Sequence, residues 1–489
     1  MTSPDVQERP PGAFRSLRAA WVALAGLSAV FLFEMMSNTV LNVALPSIGR
    51  ELAAPTVALQ WVTNGYSVVF GGLMLVFGVV ADRLGRRRVM LIGLVLLGLA
   101  SLATAAVTTT GELIAVRAVL GLAAAMTTPG TMAMAFRLFG EEGLRVRAIT
   151  LISTVGMVGL AIGPTVGGFV LSFAPWQVLL LVNVPIVVLA IVGIRIGVPA
   201  DDPADLHRAP VDLPGGVLGT ATIVLALVAP TLFVDSGAGS WAPWAAVAGV
   251  VVAAILFVLR ERSARHPLLD LSLVAVAKVS GGLAYKAAAG LGNAGLAYLV
   301  TLQLQLDLGW PPALASIGML PQVVVLIAGG PFVHRFVEWA GIDRAAWISA
   351  GSIVTGLAVY TLFGNLGYPG VAAALVLVAA GMRVVGAAAG VNVLDGLPRN
   401  RTSTGAALVD TAAEVTAALG VAVVGTVLAA LFAGNVAAGH WSPEQNGQFH
   451  EAVTVSGAVL TVVSAALVGW AMRRTRPGLV PTTTPATAN

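Results

Sequence analysis

Acidic side chains occur in the middle of strongly apolar segments of this sequence. Glu34 lies about half-way along the first such segment, and Asp410 and Glu414 lie in a late one. The separation of four residues places Asp410 and Glu414 on one face of a helix, with Glu414 near mid-depth. An ionisable residue inside a membrane span costs about 2.5–3.5 kcal/mol on insertion scales, so each is a candidate for function. A carboxyl that gains and loses access to water can bind and release protons, and we interpret these three as candidates for proton coupling.

A structural role is the alternative for each of these carboxyls. Glu34 could be a protonated packing residue, and Asp410 could equally belong to a purely structural ion pair. Counted from the end of its own segment, Arg383 lies at the depth of Asp410. This predicts an Arg383–Asp410 pair and leaves Glu414 freer to titrate. Lys286 could counter a carboxylate or an anionic substrate, or it could extend to the membrane interface.

Uncharged polar side chains in the same segments are candidates for lining a substrate cavity. Each of them alone is more often a helix–helix contact than a ligand-binding group. Together with Lys286 and Arg383, the favoured set is Asn38, Asn42, Asn64, Tyr66, Asn293, Tyr298 and Gln322, and further candidates are Gln60, Asn183 and Gln303.

The composition identifies the solvent in which these residues act. Of the 489 residues, 57% are hydrophobic and 10% are charged, and the mean hydropathy is +0.90. A soluble protein carries about 25% charged residues, so this chain fits lipid rather than water. Without cysteine there is no disulfide or thiolate metal site, and none of the five histidines pairs with another at ligand spacing. No phosphate loop of the GxxxxGKS or GxxxxGKT type occurs, so we expect no cofactor and no ATP-driven pump, with a proton gradient as the energy source.

Long apolar runs predict fourteen membrane spans. A helix needs about 20 mostly apolar residues to cross a bilayer, and continuous rather than alternating runs indicate helices instead of barrel strands. The runs lie near residues 19–45, 57–81, 89–108, 112–134, 148–172, 177–197, 214–234, 243–259, 280–304, 313–333, 345–364, 368–390, 404–432 and 452–472. The predicted fold is an all-α polytopic membrane protein with these parts: an N-terminal segment (1–18), a six-helix block (19–197), a linker region with two extra helices (198–279), a second six-helix block (280–472) and a disordered tail (473–489).

Basic residues indicate the orientation. Nearly all of the 27 Lys and Arg residues fall outside the spans on the side that carries both termini. By the positive-inside rule, both termini are then cytoplasmic, and the basic excess requires no nucleic-acid partner. The composition, rich in Ala, Gly, Val and Arg and poor in Lys, indicates a bacterium with a high-GC genome. We therefore expect a multi-pass protein of the bacterial inner membrane, monomeric and surrounded by lipid.

Two glycine-containing motifs predict close contacts and tight turns. Between the second and third spans the chain reads GVVADRLGRRRVML (78–91), with Gly78, Asp82, Arg83, Gly85 and Arg86 as its principal residues. Its small residues allow a tight turn, Asp82 can face a helix N-terminus, and the arginines anchor the cytoplasmic edge. The fifth span contains GLAIGPTVGG (159–168), in which Gly159, Gly163, Gly167 and Gly168 form a face for close helix packing and Pro164 bends the span.

These two motifs, together with LIAVRAVLGLAAA (113–125) in the fourth span, resemble the major facilitator superfamily. They are similar to its cytoplasmic-loop, antiporter and arginine motifs. Three further stretches resemble its fourteen-helix drug:proton antiporter family: LNVALPSI (41–48), PWQVLLLVNVPI (175–186) and TGAALVDTAAEVTAALGVAVVGTVL (404–428). The resemblance implies two six-helix bundles of inverted repeats, two extra helices between them, and alternating access around a central cavity.

Some residues depart from the family pattern. Ser37 stands where the family usually has an aspartate, Leu120 where it has a glutamine, and Ala413 and Glu414 where it has an Arg-Gln pair. Arg117 matches the family arginine, which implies a role near the proton path. A hydrogen-bond clamp on the first helix is the competing interpretation.

The leading interpretation is a secondary transporter that exports small amphipathic or cationic organic compounds in exchange for protons. A dedicated exporter of one metabolite, antibiotic or lipid is the first alternative. A membrane sensor or assembly partner that transports nothing is an alternative of another class. No paired histidines, Ser-His-Asp set or cofactor loop supports an enzyme.

Overall fold

The computed structural model describes residues 14–201, 212–237, 239–265, 267, 271–397, 402–436 and 441–475. Over these residues the chain forms helices and short turns, with one isolated backbone bridge between Phe14 and Phe139. The predicted all-α fold is confirmed.

The first part of the chain forms seven helices in place of the six predicted spans. Their bounds are α1 Trp21–Glu51, α2 Thr56–Leu84, α3 Arg86–Ala103, α4 Thr110–Arg137, α5 Glu142–Leu171, α6 Gln177–Leu181 and α7 Asn183–Gly197. The short helices α6 and α7 together occupy the sixth predicted span. A capping box starts α4, where Thr109 accepts from the backbone N–H of Glu112 and the Glu112 carboxylate accepts from that of Thr109.

The rest of the described chain begins with an extra pair of helices and continues with nine more. Their bounds are α8 Leu213–Ser236, α9 Trp241–Ser263, α10 Leu271–Ala275, α11 Ala277–Leu302, α12 Pro312–Gly318, α13 Leu320–Ala328, α14 Gly330–Ala340, α15 Ile342–Phe363, α16 Tyr368–Asp395, α17 Thr402–Leu431 and α18 Pro443–Arg474. A π-helical segment, Gln303–Asp307, extends α11.

The tenth predicted span is divided into the three helices α12, α13 and α14. Each of them has a proline in its first turn: Pro312, Pro321 and Pro331. Proline is tolerated there because the N–H it lacks would have no intrahelical partner, whereas inside a helix it breaks the hydrogen-bond ladder. The sequence therefore interrupts this span at every second or third turn.

Every predicted span has a helical counterpart, but not every counterpart is a long apolar helix. In the described part of the chain, eleven helices are long and apolar enough to cross a membrane, and twelve if α2, bent by 54° between Met74 and Val76, is counted as one span. The remaining two predicted spans are α8, whose apolar stretch is shorter, and the divided α12–α14. The protein is thus a multi-pass membrane protein, and the number fourteen remains a prediction.

The helices pack as two groups. Helix α1 packs on α5 and α7, and α2 on α4, in the N-terminal group; α11 packs on α16, α17 and α18 in the C-terminal group. The pair α8–α9 lies beside both groups. Thr220 of α8 donates to the Gly72 carbonyl of α2 (2.7 Å), while Leu227 packs with Ala418 and Ala422 of α17. Helix α8 therefore bridges the two groups at the α2–α17 contact.

Candidate functional site

Glu34 lies on α1 and is 4% exposed. Its Oε2 accepts a hydrogen bond from the Thr128 hydroxyl of α4 at 2.9 Å. A buried carboxyl requires such partners because burial without them is costly. The Thr128 hydroxyl supplies a partner of this kind and holds the Glu34 carboxyl in place.

Asp410 and Glu414 lie on α17, which packs on α2 of the N-terminal group. A Cβ built on Gly71 of α2 would lie 3.9 Å from the Glu414 Cβ, so the two helices are in contact at this level. Glu414 Oε2 is buried and has no hydrogen-bond partner among the described residues. Glu34 lies close enough to Asp410 and Glu414 for their charges to interact. These three carboxyls, from both groups of helices, are called the carboxyl cluster below.

Lys286 of α11 is half-buried and lies close enough to Asp410 and Glu414 for its charge to interact with both. A lysine in this place offsets part of the negative charge of the carboxyl cluster.

The predicted Arg383–Asp410 ion pair is wrong. Arg383 of α16 lies against the junction of α13 and α14, with its Cγ 3.9 Å from a Cβ built on Gly329. It lines a cavity there with residues of α14 and α15. Counting residues from the helix ends indicates a depth for Arg383, but depth does not determine which side of α16 the residue occupies.

Arg117 of α4 is fully buried and connects three helices. Its Nε donates to the Val62 carbonyl of α2 (3.1 Å) and its Nη1 to the Ser37 hydroxyl of α1 (3.3 Å). The guanidinium also lies 4.6 Å from the centre of the Tyr66 ring, a cation–π contact. Ser37, which replaces the usual aspartate, thus still accepts from Arg117. This geometry is that of a clamp on α1, situated beside the proton-binding candidates.

A narrow cavity of about 20 Å³ lies where α1, α5, α11 and α13 meet, room for about one water molecule. Of the predicted cavity residues, Asn42, Asn293 and Gln322 line it, and Gln322 donates to Asn293 at 3.3 Å. Thr39 and Thr301 also line it. We did not predict these two. Their hydroxyls bond to carbonyls of their own helices, as packing threonines do.

The other predicted liners lie elsewhere. Asn64 and Tyr298 are buried, 2% and 1% exposed, and Tyr66 is fully buried beneath Arg117. The side chain of Asn38 lies outside the described part of the structure. The structure therefore brings together three of the polar candidates at the cavity, and Asn64, Tyr66 and Tyr298 are buried outside it.

Two glutamines connect the groups of helices near the ends of their spans. Gln60 of α2 donates to the Ala422 carbonyl of α17 (3.2 Å), and Gln305 donates to the Val43 carbonyl of α1 (2.9 Å). Gln305 belongs to the π-helical segment, which is held by Gln303 donating to the Gly364 carbonyl and by His450 contacting Asp307 at 2.9 Å. Both contacts lie on the side opposite to the predicted cytoplasmic side. Sequence reasoning missed Gln305 and treated Gln60 only as a possible cavity residue.

The glycines of the fifth-span motif lie against neighbouring helices. Side chains built on Gly159 and Gly163 would overlap Leu32 and Thr39 of α1, and one on Gly167 would come within 3.3 Å of the Val40 carbonyl. Gly168 faces the other group instead, against Ser316 and the Pro312 carbonyl of α12. Pro164 lines the narrow cavity.

The loop motif between α2 and α3 forms a tight turn at Gly85, whose φ of +100° suits glycine. Asp82 pairs with Arg86 at 2.6 Å, while Arg83 is exposed.

The Asp201 carboxylate accepts from the backbone N–H groups of Arg87 (3.2 Å) and Arg88 (3.1 Å) and so caps α3. A Cβ built on Gly78 would lie 3.9 Å from the Pro129 Cβ of α4. In the part of the chain that the structure describes, no group of three or more His, Asp or Glu side chains could hold a metal ion.

Comparison with known proteins agrees with this architecture. The chain is 30% identical over 462 residues to the multidrug efflux pump LfrA of Mycolicibacterium smegmatis, covering 94% of this chain and 91% of that protein. It is 32% identical over 472 residues to the cephamycin export protein CmcT of Amycolatopsis lactamdurans (94% and 95% covered). It is 29% identical over 430 residues to the methyl viologen resistance protein SmvA of Salmonella typhimurium (85% and 84% covered). Among solved structures, a POT family transporter matches with a TM-score of 0.63 at 13% identity, covering 94% of this chain and 97% of that one.

The fold and the polar site between two groups of helices define a membrane transporter rather than an enzyme. The model of the Major Facilitator Superfamily matches residues 27–421. The chain belongs to this superfamily.

Proposed function

We propose that this protein exports small amphipathic or cationic organic compounds in exchange for protons, by alternating access between its two groups of helices. The observation that carries the proposal is the carboxyl cluster: Glu414 lies where α17 contacts α2, and buried Glu34 lies close enough to Asp410 and Glu414 for their charges to interact. A proton bound there changes the charge at the contact between the groups, and so couples protonation to their relative movement. The similarity to a multidrug efflux pump, a cephamycin export protein and a methyl viologen resistance protein supports small organic molecules as substrates.

The carboxyl cluster also supports a positively charged substrate. Three deprotonated carboxyls against Lys286 and the neighbouring Arg117 leave the site with an acidic excess of one charge, which attracts an organic cation. Protonation removes that attraction. A cation and protons can therefore compete for the same carboxyls, which is the requirement of an exchanger.

Lys286 favours a second candidate function, the export of one particular metabolite, antibiotic or lipid that carries an anionic group. Its charge beside Glu414 and Asp410 provides a partner for such a group. The two candidates differ in the charge of the compound that is transported.

The test is transport by the purified protein in liposomes with an imposed pH gradient. We expect gradient-driven accumulation of a lipophilic organic cation, its abolition by a protonophore, and faster counterflow when unlabelled compound is placed on the opposite side. Protein-free liposomes measure the passive leak. Transport restricted to an anionic compound would favour the second candidate, and no counterflow with any compound would contradict a carrier.

The proposed location is the bacterial inner membrane, with fourteen spans, both termini cytoplasmic and the protein monomeric. Because the chain has no cysteine, single cysteines report on this topology directly. We expect Leu84→Cys, at the end of α2, and Arg262→Cys, at the end of α9, to resist an impermeant thiol reagent applied to whole cells. Leu366→Cys, 79% exposed between α15 and α16, should label strongly as the positive control. Labelling of the first two from outside would overturn the orientation.

A further inference from the structure

The π-helical segment Gln303–Asp307 is held from two sides, by one helix of each group. Gln305 donates to the Val43 carbonyl of α1 (2.9 Å), and Asp307 contacts His450 of α18, with 2.9 Å between the Asp307 Oδ1 and the His450 Nε2. Residues two apart lie on roughly opposite sides of a helical turn. The segment therefore connects α18 to α1 on the side opposite to the predicted cytoplasmic side, called the outer side below.

The two ends of this segment are fixed by different kinds of contact. At its start, Gln303 donates to the Gly364 carbonyl (3.0 Å) and accepts from the Tyr360 hydroxyl (2.7 Å). These are hydrogen bonds between uncharged groups. At its end, the contact of Asp307 is with a histidine. A π-helical turn is rare and is found most often at functional sites.

His450 can change the strength of the contact at the end of the segment. Histidine is the side chain that changes its charge near neutral pH. The side chain of His450 is 43% exposed, so protons of the outer solvent reach it, and that of Asp307 is 13% exposed. A protonated His450 forms an ion pair with the Asp307 carboxylate, and hydrogen bonds that involve charged groups are roughly twice as strong as neutral ones. The contact is therefore stronger at acid pH and weaker as the pH rises.

Among the described residues, Asp307 is the charged group that faces His450. The helices that pack on α18 are α11, α15 and α17, and the turn Gly364–Leu366 also contacts it. The turn has no charged residue. The charged residues of the three helices lie in their halves toward the predicted cytoplasmic side: Lys278, Lys286, Asp343, Arg344, Asp410 and Glu414. On α18 itself, Glu444 and Glu451 are near His450 in the sequence, and both are exposed to solvent.

We propose that His450 and Asp307 form a proton-binding site that regulates the opening of the outer side. The conformation of the segment that places Asp307 against His450 also places Gln305 against Val43, so a proton on His450 favours the closed outer side. When the pH rises and His450 loses its charge, the segment is held less firmly and the two groups separate more readily there. This inference rests on the alternating access proposed above and not on the identity of the substrate.

The test measures how often the outer side opens, with a single cysteine in the narrow cavity. Ala297 is 7% exposed and lines that cavity. An impermeant thiol reagent applied to whole cells reaches Ala297→Cys when the outer side opens, and the labelling rate of the exposed Leu366→Cys serves as the reference. A change of the external pH from about 8 to about 5.5 spans the charge change of histidine. We expect this change to slow the relative labelling about two- to fivefold more with His450 than with His450→Gln, the range typical of partly exposed ion pairs.

Three further variants decide the outcome. Asp307→Asn removes the other member of the pair and should also lose the additional pH response, and the double variant His450→Gln/Asp307→Asn should lose no more than either single variant. Glu451→Gln, which removes the exposed charge next to His450 in the sequence, is the matched control and should keep the full response. Normal labelling of Leu366→Cys verifies that each variant reaches the membrane.

The results that contradict the proposal differ from those that contradict the proposed function. A full pH response in both His450→Gln and Asp307→Asn, or an equal loss in Glu451→Gln, would overturn the role of this pair alone. If Ala297→Cys is not labelled from outside at either pH, the outer side does not open and alternating access itself is contradicted.

Discussion

Replacement of Glu34 by glutamine should reduce pH-gradient-driven export by about tenfold or more, within the range typical of coupling between two sites. Glutamine keeps the shape of the side chain, and its carbonyl oxygen can still accept from the Thr128 hydroxyl. What it cannot do is bind and release a proton. The variant should therefore fold and insert normally but lose the coupling of transport to the gradient. Flux in liposomes at several pH values measures this.

Two further measurements distinguish the roles that Glu34 could have. If it couples protons, substrate binding and uncoupled exchange survive in Glu34→Gln. If it holds a cationic substrate, binding itself falls, and it falls more for cationic than for neutral compounds. Glu414→Gln should show a weaker form of the same result, because Asp410 remains beside it. Glu112→Gln, at the exposed start of α4, is the matched control and should transport normally. If flux and its pH dependence are unchanged in both Glu34→Gln and Glu414→Gln, these carboxyls are packing groups and the mechanism is wrong.

Leucine at Gly163 should stop transport while leaving insertion intact. Even a Cβ at this position would overlap Thr39 of α1, and a whole leucine side chain would force α1 and α5 apart. Overpacking of this kind costs about 1–3 kcal/mol, enough to shift an equilibrium between two conformations about fivefold or more. Thr39 also lines the narrow cavity, so the displacement reaches a place where the two groups of helices meet. We expect export well below one-fifth of the wild-type rate, at normal membrane abundance.

The matched control is Gly469→Leu on α18, where a Cβ would have no neighbour within 4 Å. It adds the same side chain to a helical glycine of the same protein without steric overlap, and it should transport as wild type does. Native-rate export by Gly163→Leu would show that the contact of α5 with α1 is loose enough to accept a side chain, contrary to the structure.

The helices were largely predictable because apolar runs of sufficient length have few alternatives in a membrane. The division of the tenth span was not predicted, although its cause, a proline at each helix start, is present in the sequence. The average hydropathy of a segment does not reveal these prolines, because it depends on composition and not on backbone hydrogen bonding.

The site was predicted less completely. The sequence indicates the depth of a buried charge but not its direction around the helix, so Glu34 and Glu414 were expected within the spans, where the structure has them, while Arg383 was given the wrong partner. Asp410 and Lys286 are far apart in the sequence, and only the packing of α11 on α17 brings them together. The same limit applies to Gln305, whose partner is a backbone carbonyl. The residue types of a sequence do not show which main-chain carbonyl a distant side chain will contact.

The two glutamines that connect the groups of helices both donate to main-chain carbonyls, and this affects how the sequence of the transporter can change during evolution. The acceptors for Gln60 and Gln305 are the main-chain carbonyls of Ala422 and Val43, which every amino acid possesses. Substitution at either acceptor position keeps the carbonyl, but both side chains are buried, so only residues of similar size leave the bond in place. At the two glutamines, by contrast, a single codon change removes the donor and with it a link between the halves. Among descendants of this protein, the acceptor positions should therefore vary among small apolar residues, and the donor positions should not vary.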